Sequence, residues 1–152
     1  MTALAARFAT ADDLGAWAGL RHQLWPHLSL EEHQAEIVDA LSLSQSERLI
    51  AFLCVTPDGT AVGLAEASIR SDYVNGCETS PVAFLEGIVV DPATRRQGVA
   101  GLLVAAVSDW ARSKGLSELA SDADVDNTVS HAMHAALGFE ETQRVVYFRR
   151  TL

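Results

Sequence analysis

Val82-Ala83-Phe84-Leu85-Glu86-Gly87-Ile88-Val89-Val90, then Asp91-Pro92-Ala93-Thr94-Arg95-Arg96-Gln97-Gly98-Val99-Ala100-Gly101, then Leu102-Leu103-Val104-Ala105-Ala106-Val107-Ser108-Asp109-Trp110 is the stretch on which the fold turns. Its first part is an apolar run bounded by turn formers, the pattern of a buried strand, interrupted at Glu86. Its last part carries Val99, Leu102, Leu103, Ala106, Val107 and Trp110 at helical spacing, with Gly115 placed to close the helix as a left-handed cap. Between them, Gly98 lets the backbone approach a ligand closely. The free N–H groups of the first helical turn, with the guanidinium groups of Arg95 and Arg96, form a positive pocket suited to a pyrophosphate. The loop lacks the Gly-Lys-Ser/Thr of a Walker site and the three glycines of a dinucleotide fingerprint. A solvated basic loop ahead of an ordinary helix is the plain alternative.

Outward from this unit, strand-like and helix-like segments alternate without repeat or linker. A short strand is expected over Ala3 to Phe8. Thr10-Ala11-Asp12-Asp13 resembles a capping box, with the Thr10 hydroxyl placed to accept a backbone N–H. A helix then runs to Leu24, carried by Leu14, Trp17, Leu20 and Leu24 and stopped by Pro26. Ser29-Leu30-Glu31-Glu32 repeats the capping signal for a helix to about Leu41, followed by a polar tract to Glu47. Leu49 to Val55 and Ala61 to Arg70 read as a hairpin across Pro57-Asp58-Gly59-Thr60. Asp72 to Pro81 is a loop rich in turn formers. Leu116 to Asp122 is a strand, Asn127 to Leu137 a helix capped by Gly138, and Phe139 to Arg150, with Val145-Val146-Tyr147-Phe148, a final strand. The expected class is α/β with a mixed sheet, in a single domain over residues 1–152.

Composition bounds the partners. Of 152 residues, 49% are hydrophobic, enough for a core without assistance, and 20 acidic against 11 basic side chains give a formal charge of -9. Such a field disfavours nucleic acid and anionic membrane and accommodates a cationic ligand. Cys54 and Cys77 make no disulfide framework, which points to reduced cytoplasm. Five scattered histidines give no metal-ligand spacing beyond a loose His131/His134 pair, so no metal is expected. No segment reads as a leader or a membrane span.

Phe84 to Trp110 resembles motif A of the GNAT N-acetyltransferases, whose Arg/Gln-x-x-Gly-x-Gly/Ala falls on Arg95, Gly98 and Ala100, and Leu137-Gly138-Phe139 repeats the family's helix ending. The resemblance implies the GNAT fold, a mixed, mostly antiparallel central sheet flanked by helices, with acetyl-CoA bound at splayed strands. It implies that Arg95, Arg96, Gln97, Gly98, Val99, Ala100 and Gly101 hold the pyrophosphate. Ile88, Val89 and Val90 would then pair with the pantetheine arm, and Asn127 and His134 would contact the cofactor.

Within that family, Gln23-Leu24-Trp25-Pro26, Ser68 to Cys77 with its Asp72-Tyr73-Val74-Asn75-Gly76 loop, Phe84 to Ile88, Ala120-Ser121-Asp122 and Leu137 to Thr142 are similar to the aminoglycoside 6'-N-acetyltransferases. The resemblance implies that Trp25, Tyr73, Glu86 and Asp122 line an aminosugar site. Gln143 stands where that group often has an acidic residue, and His134 stands where the wider family has an acid tyrosine. A homodimer, with the C-terminal strand in its interface, is implied in the same way.

The residues' chemistry accords with a polycationic substrate: carboxylates for ammonium groups, aromatic faces for a sugar, and an acidic long-range field. Glu86 also fits a salt-bridged sheet residue, Asp122 a turn cap, Trp25 a core residue and Tyr73 a loop aromatic. The implied reaction is direct attack of a neutral amine on the thioester, with Glu86 or Asp122 accepting a proton and a main-chain N–H near Val89 holding the oxyanion. His134 or Tyr147 is placed to protonate the leaving thiolate. Acetylation of another small polyamine or a protein amine, and a non-catalytic acetyl-CoA or drug-binding module, are the alternatives.

Overall fold

A computed structural model describes residues 3–42 and 49–152. In chain order the elements are β1 (Ala5–Phe8), α1 (Leu14–Leu24), α2 (Leu30–Ser42), β2 (Ile50–Val55), β3 (Ala61–Arg70), β4 (Val82–Val90), α3 (Val99–Ser113), β5 (Leu119–Ser121) and α4 (Thr128–Ala136). The polar tract expected between α2 and β2 lies outside the described residues.

The strands form one sheet in the order β1-β2-β3-β4-β5. β1 to β4 pair antiparallel in chain order, β1 reaching β2 by way of α1 and α2, and β5 joins β4 in parallel after the α3 crossover. Both faces of the sheet are covered, which is why β2, β3 and the first half of β4 are buried almost continuously. On one face Phe52, Cys54, Ala65, Ala67 and Leu85 pack against Val99, Leu103, Val107 and Trp110 of α3. On the other, Ala51, Leu53 and Leu64 pack against Trp17, Leu20 and Ile37. Small residues bring α3 close: a Cβ at Gly63 would lie 2.5 Å from Val99 Cγ1.

The start signals of the first two helices are met. A 3-10 turn over Ala11–Asp13 precedes α1 and carries the capping box expected there, the Asp13 carboxylate accepting the Thr10 N–H at 2.8 Å and the Thr10 side chain facing the Asp13 N–H. Asp13 is held there by Arg7, which forks onto both its oxygens at 2.8 Å. At α2 the box is complete, with Ser29 Oγ accepting from Glu32 N and Glu32 Oε2 from Ser29 N.

One correction concerns the C-terminus. Residues 139–152 form no strand. Val146, Tyr147 and Phe148 are 76%, 83% and 91% exposed. Their β-forming side chains fit a pleated surface, yet a strand also needs a partner edge, and none among the described residues pairs with them.

Candidate active site

The site is built where β4 and β5 part. Their pairing covers only Ala83↔Leu119, Phe84↔Ala120 and Leu85↔Ser121, so from Glu86 to Val90 one edge of β4 is open. In an antiparallel ladder the hydrogen bonding alternates along the strand. Asp91 N–H donates to the Val62 carbonyl at 2.8 Å, and the register Gly63↔Val90, Leu64↔Val89, Ala65↔Ile88 is unbroken. The N–H of Val89 therefore turns toward β3, and those of Ile88 and Val90 face the opening. The N–H expected near Val89 to hold the oxyanion is thus not that of Val89 itself, and the ladder's irregularity lies at Glu86: Glu66 pairs with Gly87 and Ala67 with Leu85, which leaves Glu86 as the extra residue of a bulge.

At the C-terminal end of β4, a 3-10 turn over Pro92–Thr94 leads into α3. Gly98 caps the helix at φ 83°, with no side chain bonded to the first-turn N–H groups. Arg96 also adopts a left-handed conformation, φ 64°, strained for any residue with a Cβ. Added methyls at Gly98 or Gly101 would meet nothing within 4 Å. An exposed turn with Arg95, Arg96 and uncapped helical N–H groups beside an open strand edge fits a pyrophosphate with an extended amide arm, the chemistry of acetyl-CoA.

On the α1 face of the sheet, Glu86 is held by three groups. Arg70 Nη2 lies 2.8 Å from Oε2, Arg70 Nε and Nη2 each lie 3.1 Å from Oε1, and the Ser68 hydroxyl donates to Oε1. The Arg70 guanidinium is stacked 3.5 Å above the Phe84 ring. Trp25, the residue that ends α1, lies over Gly87, where a Cβ would come within 2.7 Å of its ring. Behind it Arg21, 7% exposed, sits 5.2 Å from the Trp25 ring centre and bonds Glu36. Glu66, 2% exposed, accepts from Trp17 Nε1 at 2.8 Å and faces Arg21 Nε at 3.7 Å. Burial pushes the Glu66 carboxyl up, against the pull of Arg21 and Trp17.

Trp25 and Glu86 are thus brought together on one face. Tyr73, 68% exposed, stands on its loop. The loop is fastened by Glu118, whose carboxylate accepts from Glu78 N, Thr79 N and Thr79 Oγ1 and is held below the usual carboxylate range mainly by the Thr79 hydroxyl. Thr142 closes on the same loop, its Oγ1 standing 2.1 Å from where a Cβ of Gly76 would be. Gln143 follows it, exposed. Asp122 lies exposed just past β5. Asn127 caps α4, its side chain accepting from Ser130 N at 3.1 Å. His134 is tied at both ring nitrogens, Nδ1 to Ser130 and Nε2 to the Ser121 hydroxyl.

Arg21, Glu66, Ser68, Arg70 and Ser121 were not singled out in the sequence. Glu66 carried a signal of its own, a carboxylate inside an apolar strand just like Glu86. Ser68, Arg70 and Ser121 are placed by pairing across the sheet, and Arg21 by the packing of α1. Among the described residues no group of three or more His, Cys, Asp or Glu side chains could hold a metal ion, and no helix is long and apolar enough to cross a membrane.

The acetyltransferase (GNAT) family model matches residues 14–139. An aminoglycoside N(6')-acetyltransferase type 1 of Serratia marcescens is 52% identical over 141 residues, 93% of this chain and 94% of that protein. The solved structure of the aminoglycoside N-acetyltransferase AAC(6')-Iy in complex with CoA is 46% identical, with a TM-score of 0.92 over 100% of this chain and 97% of that one. The same enzyme with the bisubstrate analogue CoA-S-monomethyl-acetylneamine is 47% identical, TM-score 0.90, over 99% of each chain. With its open β4 edge, its uncapped α3 turn and these relatives, this chain belongs to the GNAT family of acetyltransferases, among the aminoglycoside 6'-N-acetyltransferases.

Proposed function

We propose that this protein transfers the acetyl group of acetyl-CoA to the 6'-amine of aminoglycosides by direct attack of the neutral amine on the thioester, and so confers resistance in the cytoplasm. The observation that carries the reading is the bulge at Glu86. It puts a carboxylate beside the open edge of β4, under Trp25, at the far end of that edge from the uncapped turn of α3. The relatives and the bisubstrate-bound structure support the same acceptor and donor.

The residues divide by chemistry. Arg95, Arg96, Gln97, Gly98, Val99, Ala100 and Gly101 bind the pyrophosphate through backbone N–H groups and guanidinium charge. Ile88 and Val90 pair with the pantetheine amides, and the Ile88 N–H, next to the bulge, is the donor for the developing oxyanion. Trp25 and Tyr73 offer faces to the sugar, and Glu86, Asp122 and the neutral Gln143 set its amine contacts. Glu86, already paired with Arg70, serves orientation better than proton abstraction. Asn127 holds the start of α4 against the cofactor.

Residues 1–152 act as one domain and function as a homodimer. The exposed row Val146, Tyr147, Phe148 is apolar surface that a second copy would cover. Sedimentation of the full chain against one with Val146 and Phe148 changed to Lys tests this: a dimer that falls to a monomer supports the interface, and a monomeric parent overturns it.

The activity is tested by CoA thiol release with two aminoglycosides matched except for a 6'-amine or a 6'-hydroxyl. Turnover of the amine alone is expected. Turnover of neither, with polyamines or peptides accepted instead, would replace the substrate, and binding without any turnover would leave only a binding module.

A further inference from the structure

The His134 ring is fixed at both ends. Nδ1 lies 2.7 Å from the Ser130 carbonyl oxygen, and a carbonyl only accepts, so Nδ1 carries the proton. In the neutral ring Nε2 is then a bare lone pair. It lies 2.8 Å from Ser121 Oγ, and the Ser121 hydroxyl donates to it. Phe139 stands edge-on to the imidazole with ring centres 5.1 Å apart, which steadies the plane of the ring. This is a hydroxyl backed by a base that is itself oriented by a third group.

Its place in the fold matters as much as its geometry. Ser121 is the last β5 residue paired with β4, opposite Leu85, whose carbonyl lies 3.4 Å from the same hydroxyl. The next β4 residue is the bulged Glu86. The hydroxyl therefore stands at the vertex where the strands separate. A donor anchored by its pyrophosphate at α3 and laid back along Val90 and Ile88 brings its thioester to that vertex.

We propose that Ser121, with His134 behind it, is the proton shuttle of the acetyl transfer; this rests on the acetyltransferase reading above. Once the amine has added to the thioester carbon, its nitrogen holds a surplus proton and the sulfur on the same carbon must leave with an electron pair. Ser121 Oγ takes the N–H proton while its own proton passes to His134 Nε2. As the C–S bond breaks, Ser121 gives a proton to the sulfur and recovers one from Nε2. One N–H bond is exchanged for one S–H bond, and both side chains end as they began. Ser121 is the catalytic residue, since it touches the reacting atoms. His134 acts only through Ser121, because neither of its nitrogens is free to reach the sulfur.

The experiment compares the full-length protein with Ser121→Ala, Ser121→Thr, His134→Gln and the Ser121→Ala/His134→Gln pair, using acetyl-CoA and a 6'-amino aminoglycoside. Ser121→Ala and His134→Gln each lower kcat about 100-fold, leave both KM values within about twofold, and combine with no further loss because they serve one relay. Ser121→Thr, which keeps the hydroxyl, stays within about fivefold of the parent. Nitrogen-15 NMR of the free protein shows His134 protonated at Nδ1. A Ser121→Ala variant with kcat within twofold of the parent, multiplicative losses in the double variant, or an Nε2-protonated ring would each overturn the shuttle. Failure of the parent to acetylate any 6'-amine would instead strike the substrate reading, and the kinetic comparison would then be made with the amine it does accept, beside the ring tautomer, which needs no substrate.

Discussion

Arg70 closes both oxygens of Glu86, at 2.8 Å from Oε2 and 3.1 Å from Oε1, while its Cζ lies over Phe84, 3.5 Å from the ring centre. The carboxylate nearest the open edge of β4 thus already has a cation, and that cation is held by a ring stack as well as by charge. A substrate ammonium approaching Glu86 meets a filled partner and must share it or displace it. Arg70 is in this sense an internal competitor that sets how much of the attraction of Glu86 reaches the substrate.

Replacing it with a neutral side chain should release that attraction. Arg70→Gln is expected to lower the aminoglycoside KM about threefold to fivefold, in line with the roughly 1 kcal/mol of a half-exposed ion pair, and to leave the acetyl-CoA KM unchanged. Steady-state CoA release at varied concentrations of each substrate checks it. A raised aminoglycoside KM would mean that Arg70 positions Glu86 more than it competes for it.

Gly87 tests the platform beneath Trp25. A methyl there would stand 2.7 Å from both Leu24 Cδ2 and the Trp25 ring, so Gly87→Ala must push the end of α1 off the sheet. Overpacking of this kind costs about 1–3 kcal/mol. The expected result is a lower urea midpoint and an aminoglycoside KM raised about tenfold, with acetyl-CoA binding retained because the open edge and the α3 turn are untouched.

Gly98 separates the two substrates in the opposite sense. Its added methyl would meet nothing within 4 Å, yet its φ is 83°, so the cost of Gly98→Ala is conformational, about 1–2 kcal/mol. The turn shifts to relieve it, and the N–H groups lose their common aim. The acetyl-CoA KM should rise about tenfold or more while the aminoglycoside KM stays level, measured in the same assay.

The sequence discloses what is local in cause. Gly98 beside Arg95, the apolar stripe of α3 and the Ser29 box could be read because each depends on neighbours a few residues away. Glu86 stood out because it broke an apolar run. Its partners Ser68 and Arg70 did not, because they reach it only through the cross-strand register that the bulge sets, and Ser121 meets His134 only when β5 and α4 are packed side by side. Val145 to Phe148 illustrate the opposite error. Their side chains have strand character, but strand formation depends on an available edge, which a single sequence does not display. Arg7 shows the same on a small scale: nothing local in the sequence discloses that it forks onto the carboxylate of Asp13, a residue outside its own strand.

That Arg7 contact yields the last prediction, a pH dependence. The guanidinium on both oxygens, with the Thr10 N–H, lowers the Asp13 carboxyl from 3.8 to about 2. Since the folded value lies below the unfolded one, the folded state holds fewer protons in this range, and stability falls as the pH drops. The contribution is complete above about pH 4 and is lost as the pH falls from there toward 2. Arg7 is largely in solvent, so screening reduces the pair to about 1 kcal/mol. Asp13→Asn should therefore unfold at a urea midpoint below the parent's at pH 7, with the difference narrowing below pH 4 and closing toward pH 2. A difference that stays constant with pH would show that the side chain acts by its neutral cap on Thr10 and not by its charge.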